Sequence, residues 1–342
     1  MKDIARESGV SLSTVSLVLN EKPGLPQETR LKVLNIAREL GYEVRSIPPV
    51  MYKPTVLKTI GMLVKRAMGD SSPPSANIFF SHVINGIEAG CRQENISLLY
   101  GTLPVDENNN SLEIPPLVED PRIDGLMLVG NYIDERLNAA IKQRGIPVVL
   151  AEAYCYSGDY DAINIDNAEG AYNAVTYLID KGHRHIAFLG SFPDSRISFR
   201  YRRQAYAQAL QDHGISHAYY GDCPHNSRES VIAATRRLIT ENPQISAIFG
   251  CNDEVAMIGM HSVTALGKRV PDDISFVGFD NNANAEYSIP PLTTMNVDKI
   301  SIGRLAVQLM ITRAENPDQG FISMILHTNL VERQSVRDLR AG

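Results

Sequence analysis

Ala5, Gly9 and Val15 stand at the spacing that a helix-turn-helix demands. Where two short helices cross, the first needs a small residue and the turn needs a glycine. The second needs a branched apolar residue four or five positions in. Ser11 opens that second helix, and a third helix follows before Tyr42. A second helix of this kind can lie in a DNA major groove. The chemistry expected of the first 42 residues is therefore sequence-specific recognition of duplex DNA.

The charge distribution fits. The chain of 342 residues has a formal net charge of −6, yet residues 1–58 carry nine Lys/Arg against six acids and the remainder 24 against 33. A basic head on an acidic body is the arrangement in which only the head meets phosphate.

Other chemistry is poorly supported. Phosphate-cradling loops of the GxGxxG or GxxxxGK[ST] type are absent, and no Ser/His/Asp set has local motif support. The eight histidines sit singly; His183 and His185 flank a strand start and read as structural. Cys91, Cys155, Cys223 and Cys251 lie far apart with no CxxC pair, which argues against a zinc cluster or a disulfide framework and fits a reducing cytoplasm. No metal, cofactor or enzymatic activity is expected. No apolar run approaches the roughly 20 residues of a membrane span, and no secretory leader is visible at the N-terminus.

The elements behind the head follow a second pattern. Residues 43–58, EVRSIPPVMYKPTVLK, hold three prolines and read as a linker. From Thr59, apolar runs (60–64, 96–100, 125–129, 147–150, 162–165, 185–189, 247–249, 274–277) alternate with helix-length segments (81–93, 168–181, 202–212, 227–241, 254–265). Such alternation implies α/β structure with parallel sheets covered by helices on both faces. Eight strands with a polar break at 155–161 suggest two stacked, doubly wound lobes. Lobe one is expected over 59–158 and 292–317, lobe two over 159–290 and 320–335. Ligands of such sheets bind beyond the carboxyl ends of the strands. Here that place becomes an interlobe cleft able to hinge shut.

The head, KDIAxxxGVSxxTVSxVLN over residues 2–20 with LGY at 40–42, resembles the LacI/GalR family of bacterial transcriptional regulators. The resemblance runs through the body at 123–126, 166–170, 182–187, 198–202, 251–253, 273–280 and 289–294. It implies a helical headpiece (1–42), a hinge (43–58) and a periplasmic-binding-protein-like body (59–342). In such a headpiece Val15, Val18 and Leu19 of helix two point inward, while Leu12, Ser13, Ser16 and Leu17 can face the groove. The resemblance places Leu12, Ser13 and Leu17 at base-reading positions, and Ser11, Thr14, Ser16 and Asn20 at phosphates, which fix register. Leu12 and Leu17 can make only apolar contacts, most usefully with thymine methyl groups. The alternative for both is a core or dimer contact.

Relatives carry a hinge helix that pushes an apolar wedge into the minor groove, and counting from Tyr42 puts Met51 at that position. Pro48 and Pro49 oppose a helix there, so either it starts late or the linker stays extended. Leu25 stands before Pro26 where a hydroxyl cap is usual, at a cost of about 1 kcal/mol. Helix one also lacks its usual hydroxyl cap, which leads to the expectation of a start codon further upstream.

The positions resembling the family's ligand residues are Glu152, Arg200, Asn252 and Asp280. Arg200 would offer a fork to paired oxygens, Glu152 and Asp280 would accept from hydroxyls, and Asp253 is expected to cap or brace the following helix. Phe79, Tyr154 and Tyr287 can stack on an apolar ligand face or pack at the lobe interface; the alternative for Arg200 is a salt bridge. This set suits a sugar-like or nucleoside-like effector. With no heptad repeat in the last residues, a homodimer on a palindromic operator is expected, in the cytoplasm and nucleoid-associated when bound. The competing class is a two-lobed small-molecule binding protein without a DNA role.

Overall fold

The computed structural model describes residues 1–19, 29, 33, 36, 56–67, 77–106, 110–130, 133–155, 159–225 and 227–340. The chain divides into two units, Met1–Lys53 and Pro54–Gly342.

In the first unit, α1 (Lys2–Ser8) ends at Gly9, whose φ of 69° lies in the left-handed region. No atom would crowd a Cβ there, so the glycine answers a backbone demand and not a space demand. The second helix, α2, spans Leu12–Leu19 and so begins directly after Ser11, the residue expected to open it. Ser11 Oγ accepts from the Thr14 N–H at 3.1 Å, an N-cap bond that satisfies one orphan donor. Ile4, Val15, Val18 and Val33 form a small buried core, with Ala5, Val10 and Ile36 packed against it. Thr29, Val33 and Ile36 are helical, where the third helix is expected. Asn20, Met51 and the Pro48–Pro49 pair lie outside the described residues.

The second unit holds two parallel sheets. Sheet one contains β1 (Thr59–Ala67), β2 (Ser97–Val105), β3 (Gly125–Val129), β4 (Val148–Ala151), β5 (Asp161–Ile165) and β11 (Ser323–Leu326), in the order β11-β5-β4-β3-β1-β2. Sheet two contains β6 (Ile186–Leu189), β7 (Tyr219–Gly221), β8 (Ala247–Gly250), β9 (Ser275–Asp280), β10 (Thr293–Asn296) and β12 (Asn329–Val331), in the order β12-β10-β9-β8-β6-β7. β12 runs antiparallel to β10, and the other pairings are parallel. β3, β4, β6, β8 and β9 are buried along their whole length, which is why they read as continuous apolar runs.

The helices are α3 (Ile78–Gln93), α4 (Pro116–Glu119), α5 (Glu135–Arg144), α6 (Asn167–Asp180), α7 (Ile197–Asp212), α8 (Arg228–Glu241), α9 (Asp253–Ala265), α10 (Ala283–Tyr287) and α11 (Lys299–Glu315). Side chains of Asn77, Asp134, Asp166, Ser227, Asn252 and Asp298 cap six of them. In lobe one α3 and α11 approach so closely that a Cβ on Gly303 would stand 2.3 Å from the Val83 carbonyl oxygen.

The lobe boundaries differ from those expected. β5 pairs with β4 (Val149↔Asp161 to Ala151↔Ile163), so β5 belongs to lobe one and the lobe boundary does not fall at the polar break before it. β10 pairs with β9, which assigns residues 293–296 to lobe two, and β11 pairs with β5, which assigns 323–326 to lobe one. Lys58 and Thr59 N–H both donate to Asp124 Oδ2, so the end of the expected linker already belongs to the body. The chain crosses between lobes three times: from β5 to α6, from β10 to α11, and from β11 to β12. At the outer edge of lobe one Arg313 of α11 forks onto Asp161 at 2.6 and 2.9 Å, both buried. The same guanidinium donates to the carbonyls of Pro317, Gln319 and Gly320.

Candidate DNA-reading helix and effector cleft

On α2 the inward face is Val15 and Val18, while Leu12 and Leu17 are 46% and 38% exposed. Neither leucine is a core residue of the head. Ser13 is exposed beside them, and the hydroxyls of Ser13 and Thr14 lie 2.6 and 2.8 Å from Ser11 Oγ. Ser11 therefore serves the helix as its cap, and Ser16 sits partly buried on the same helix.

In the body, the carboxyl ends of strands from both lobes converge. Glu152 follows β4, Cys251 and Asn252 follow β8, and Asp280 ends β9. Their focus is Arg202, a buried residue of α7. Its Nε donates to Asn167 Oδ1 at 2.8 Å, Nη1 to the Cys251 carbonyl at 2.7 Å, and Nη2 to Asp280 Oδ1 at 3.4 Å. The guanidinium also lies 3.6 Å from the centre of the Phe279 ring. Asn167, at the lobe crossing, donates to Tyr154 Oη at 3.5 Å, which brings Tyr154 into the same array.

Burial sets the protonation of this array. It raises Glu152 to about 8 against the opposing charge of Arg202, so the carboxyl holds a proton at neutral pH. Glu152 Oε1 accepts from the Ile165 N–H at 2.6 Å, which leaves the acid O–H able to donate. Glu152 and Asp280 both have positive φ, 50° and 115°, backbone strain of the kind that collects at ligand sites. Burial also raises Asp280, opposed by Arg202 and Lys299. Asp253 is raised to about 7, first by burial and then by the charge of Asp280. Lys299 Nζ donates to the carbonyls of Asp280, Asn281 and Val297, tying lobe two to the start of α11.

Of the residues expected at the cleft, the structure joins Tyr154 and Asp280 through Arg202 and Asn167, while Glu152 bonds the Ile165 N–H within reach of the Arg202 charge. Asn252 is adjacent, but its Oδ1 accepts from the Val255 N–H at 2.9 Å and so caps α9. Asp253, expected to cap or brace the following helix, instead accepts from the Asn282 N–H and Thr294 Oγ1 and braces the loop after β9. Phe79 packs edge-on against Phe80 and lies 5.8 Å from Lys299 Nζ. Tyr287 is 78% exposed and lies outside the array. Arg200 is partly buried, and its side chain makes no hydrogen bond or ion pair among the described residues.

Arg202 is the residue that sequence reasoning missed. The signal was present: Phe199, Arg202, Tyr206 and Ala209 fall on one helix stripe and are buried together. A cation on an apolar stripe marks a paired, inward-facing charge, whereas Arg200 falls off that stripe.

A family profile described as bacterial regulatory proteins, lacI family, matches residues 1–44, and one for a periplasmic binding protein-like domain matches residues 175–336. The ribose operon repressor of Haemophilus influenzae is 30% identical over 99% of both chains. The HTH-type transcriptional repressor PurR of Photobacterium profundum is 32% identical over 99% of both. A solved transcriptional regulator CelR–cellobiose complex aligns with TM-score 0.70 at 25% identity, covering 98% of each chain. The lac repressor dimer bound to operator and the anti-inducer ONPF aligns with TM-score 0.67 at 22% identity, again over 98% of each. The chain belongs to the LacI family of bacterial regulatory proteins and is a DNA-binding transcriptional regulator.

Proposed function

We propose that the chain represses transcription as a homodimer on a palindromic operator, and that a small polyhydroxylated effector in the interlobe cleft sets its affinity for DNA. In this reading α2 enters the major groove with Leu12, Ser13 and Leu17 toward the bases, and Ser11, Thr14, Ser16 and Asn20 hold phosphates. Met51 is the minor-groove wedge of the hinge. The effector's hydroxyls meet Glu152, Asn252 and Asp280, with Phe79, Tyr154 and Tyr287 offering apolar faces.

The observation that carries the effector half is Arg202. One guanidinium links the end of β8, the end of β9 and the β5–α6 crossing, so a ligand competing for its donors acts on both lobes. The relatives' printed descriptions, a ribose operon repressor and a regulator complexed with cellobiose, support a polyol effector and a repressor role. Arg200 lies two positions away on the same helix, and we assign it a secondary contact.

The test is a gel shift with DNA from upstream of the chain's own gene, titrated with salt and then with candidate polyols. A palindrome of about 16–20 base pairs should be preferred, because two heads of a dimer sit about one helical turn apart. Affinity should fall steeply with salt. Equal affinity for random DNA refutes the operator reading.

A further inference from the structure

The first and third crossings between the lobes carry a group of side chains that the effector cleft does not use. Asp166 stands at the β5–α6 crossing, Glu169 in the first turn of α6, and His327 in the β11–β12 crossing. Glu169 and His327 are 158 positions apart, so no local spacing marks them as a set. The fold brings one ligand atom from each of the three within 4.8 Å of the other two.

Backbone contacts hold the group in place. The Asp166 N–H donates to the Leu326 carbonyl at 2.9 Å, which fastens the first crossing to the residue before His327. Asp166 Oδ1 accepts from the Glu169 N–H at 2.8 Å and so is restrained as the cap of α6. Gly170 lets the third crossing lie against the helix, since a Cβ there would overlap the Thr328 hydroxyl. That hydroxyl is buried and has no hydrogen-bond partner among the described residues.

His327 Nδ1 lies 2.6 Å from Glu169 Oε2. Their side chains are 76% and 47% exposed, which leaves the group open to a hydrated ion. The charges acting on the imidazole are carboxylates, Glu169 and then Asp166, so the group is net negative even with the ring protonated. An acidic helix start alone would attract any cation weakly. The imidazole changes the class of ion, because nitrogen suits first-row transition cations whereas calcium and magnesium prefer oxygen throughout. Zinc bonds of about 2.0–2.2 Å put tetrahedral ligands about 3.4 Å apart, so the exposed side chains close the set by turning about their own bonds.

We propose that Asp166, Glu169 and His327 bind a divalent transition cation of the zinc type, which clasps the first crossing to the third. The ion enters between His327 and Glu169 and replaces their hydrogen bond. With two of the three interlobe segments tied together, the lobes lose hinge freedom.

The test is equilibrium dialysis of the full chain, stripped with a chelator, against zinc, manganese and calcium chloride. The wild type should hold one zinc ion at this site, with manganese weaker and calcium weaker still. His327→Ala and Glu169→Gln should each weaken that binding tenfold or more. Both side chains are exposed, so without metal these variants should melt with the wild type. Asp166→Asn, which keeps an oxygen to cap α6, should weaken zinc binding without loss of the helix. Zinc should raise the melting temperature of the wild type more than that of His327→Ala, and should slow amide exchange at residues 165–169 and 326–329. Zinc binding absent from the wild type, or unchanged in His327→Ala, overturns the site. Calcium held as tightly as zinc removes the imidazole from it. Zinc bound there with exchange at both crossings unchanged overturns the clasp.

Discussion

Arg202 and Asp280 meet at 3.4 Å across lobe two, and the same guanidinium holds Asn167 at the crossing into lobe one. One side chain thereby fixes both a ligand-facing carboxylate and a segment on which the lobes pivot.

Removing it should therefore cost more than a contact. Arg202→Ala takes from the buried Asp280 the cation that hydrogen-bonds it and leaves Lys299 as its remaining counter-charge among the described residues, a loss on the order of 3 kcal/mol, at the low end for a broken buried pair. Arg202→Lys keeps the charge but cannot bond Asn167, the Cys251 carbonyl and Asp280 together. Urea denaturation should rank wild type above Arg202→Lys above Arg202→Ala, and both variants should lose effector control of operator binding. Arg200→Ala should retain stability within about 0.5 kcal/mol. A variant Arg202→Lys that responds to effector as the wild type does would remove the fork from the mechanism.

Glu152 should make the body alkali-sensitive. Its folded value of about 8 lies above the ordinary 4.5, so its stabilising contribution is fully present below pH 4.5 and is lost as pH rises through 8. Glu152→Gln keeps an oxygen to accept from Ile165 and cannot ionise. Thermal melts from pH 5 to 9 should show the variant gaining on the wild type with rising pH, by a few kcal/mol at the upper end. Parallel curves would show that Glu152 is ionised throughout.

His183 acts on the acid side. Burial lowers it to about 4, with one ring nitrogen 2.9 Å from Ser246 Oγ and the other 3.2 Å from the Arg337 carbonyl. An unfolded histidine takes up its proton near pH 6.5 and the folded one near 4, so stability present above 6.5 is lost as pH falls between those values. The loss is on the order of 3 kcal/mol. Chemical denaturation of His183→Gln should show a smaller drop from pH 7 to 4.5 than the wild type does.

The head offers a contrast between two substitutions. Leu17→Ala removes an exposed side chain and should leave the melting temperature unchanged, while altering base preference at one operator position by about 1–3 kcal/mol. Gly9→Ala imposes a Cβ on a left-handed turn and should destabilise the small core around Val15 by about 1 kcal/mol. Operator affinity should fall for all sequences alike, with effector binding to the body intact. Footprinting on randomised operators distinguishes the two outcomes.

The sequence made some elements plain and hid others for physical reasons. Gly125–Val129 is set by local pattern, a doubly buried run, and the structure returns the same limits, while the start of α2 is set by the Ser11 cap. β7, β10, β11 and β12 are only three or four residues long and carry Tyr, Thr, Asn and Ser, so they give no apolar run to read. α11 escaped notice because Lys299 and Arg313 lie on its buried face. Their partners are distant in sequence: Asp161 stands 152 positions before Arg313. The same long-range pairing explains why Arg202, and not Arg200, is the guanidinium at Asp280.

The three crossings between lobes bear on how the chain is made. Lobe one gains α11 and its edge strand β11 only from residues 299–326, and lobe two gains β12 only from 329–331. On the ribosome, neither sheet can be completed until nearly the whole polypeptide has emerged, although the head's helices can already have formed. The body must therefore mature late and as a pair of lobes, and a nascent chain stalled near residue 290 would present two sheets with raw edges to the cell's chaperones.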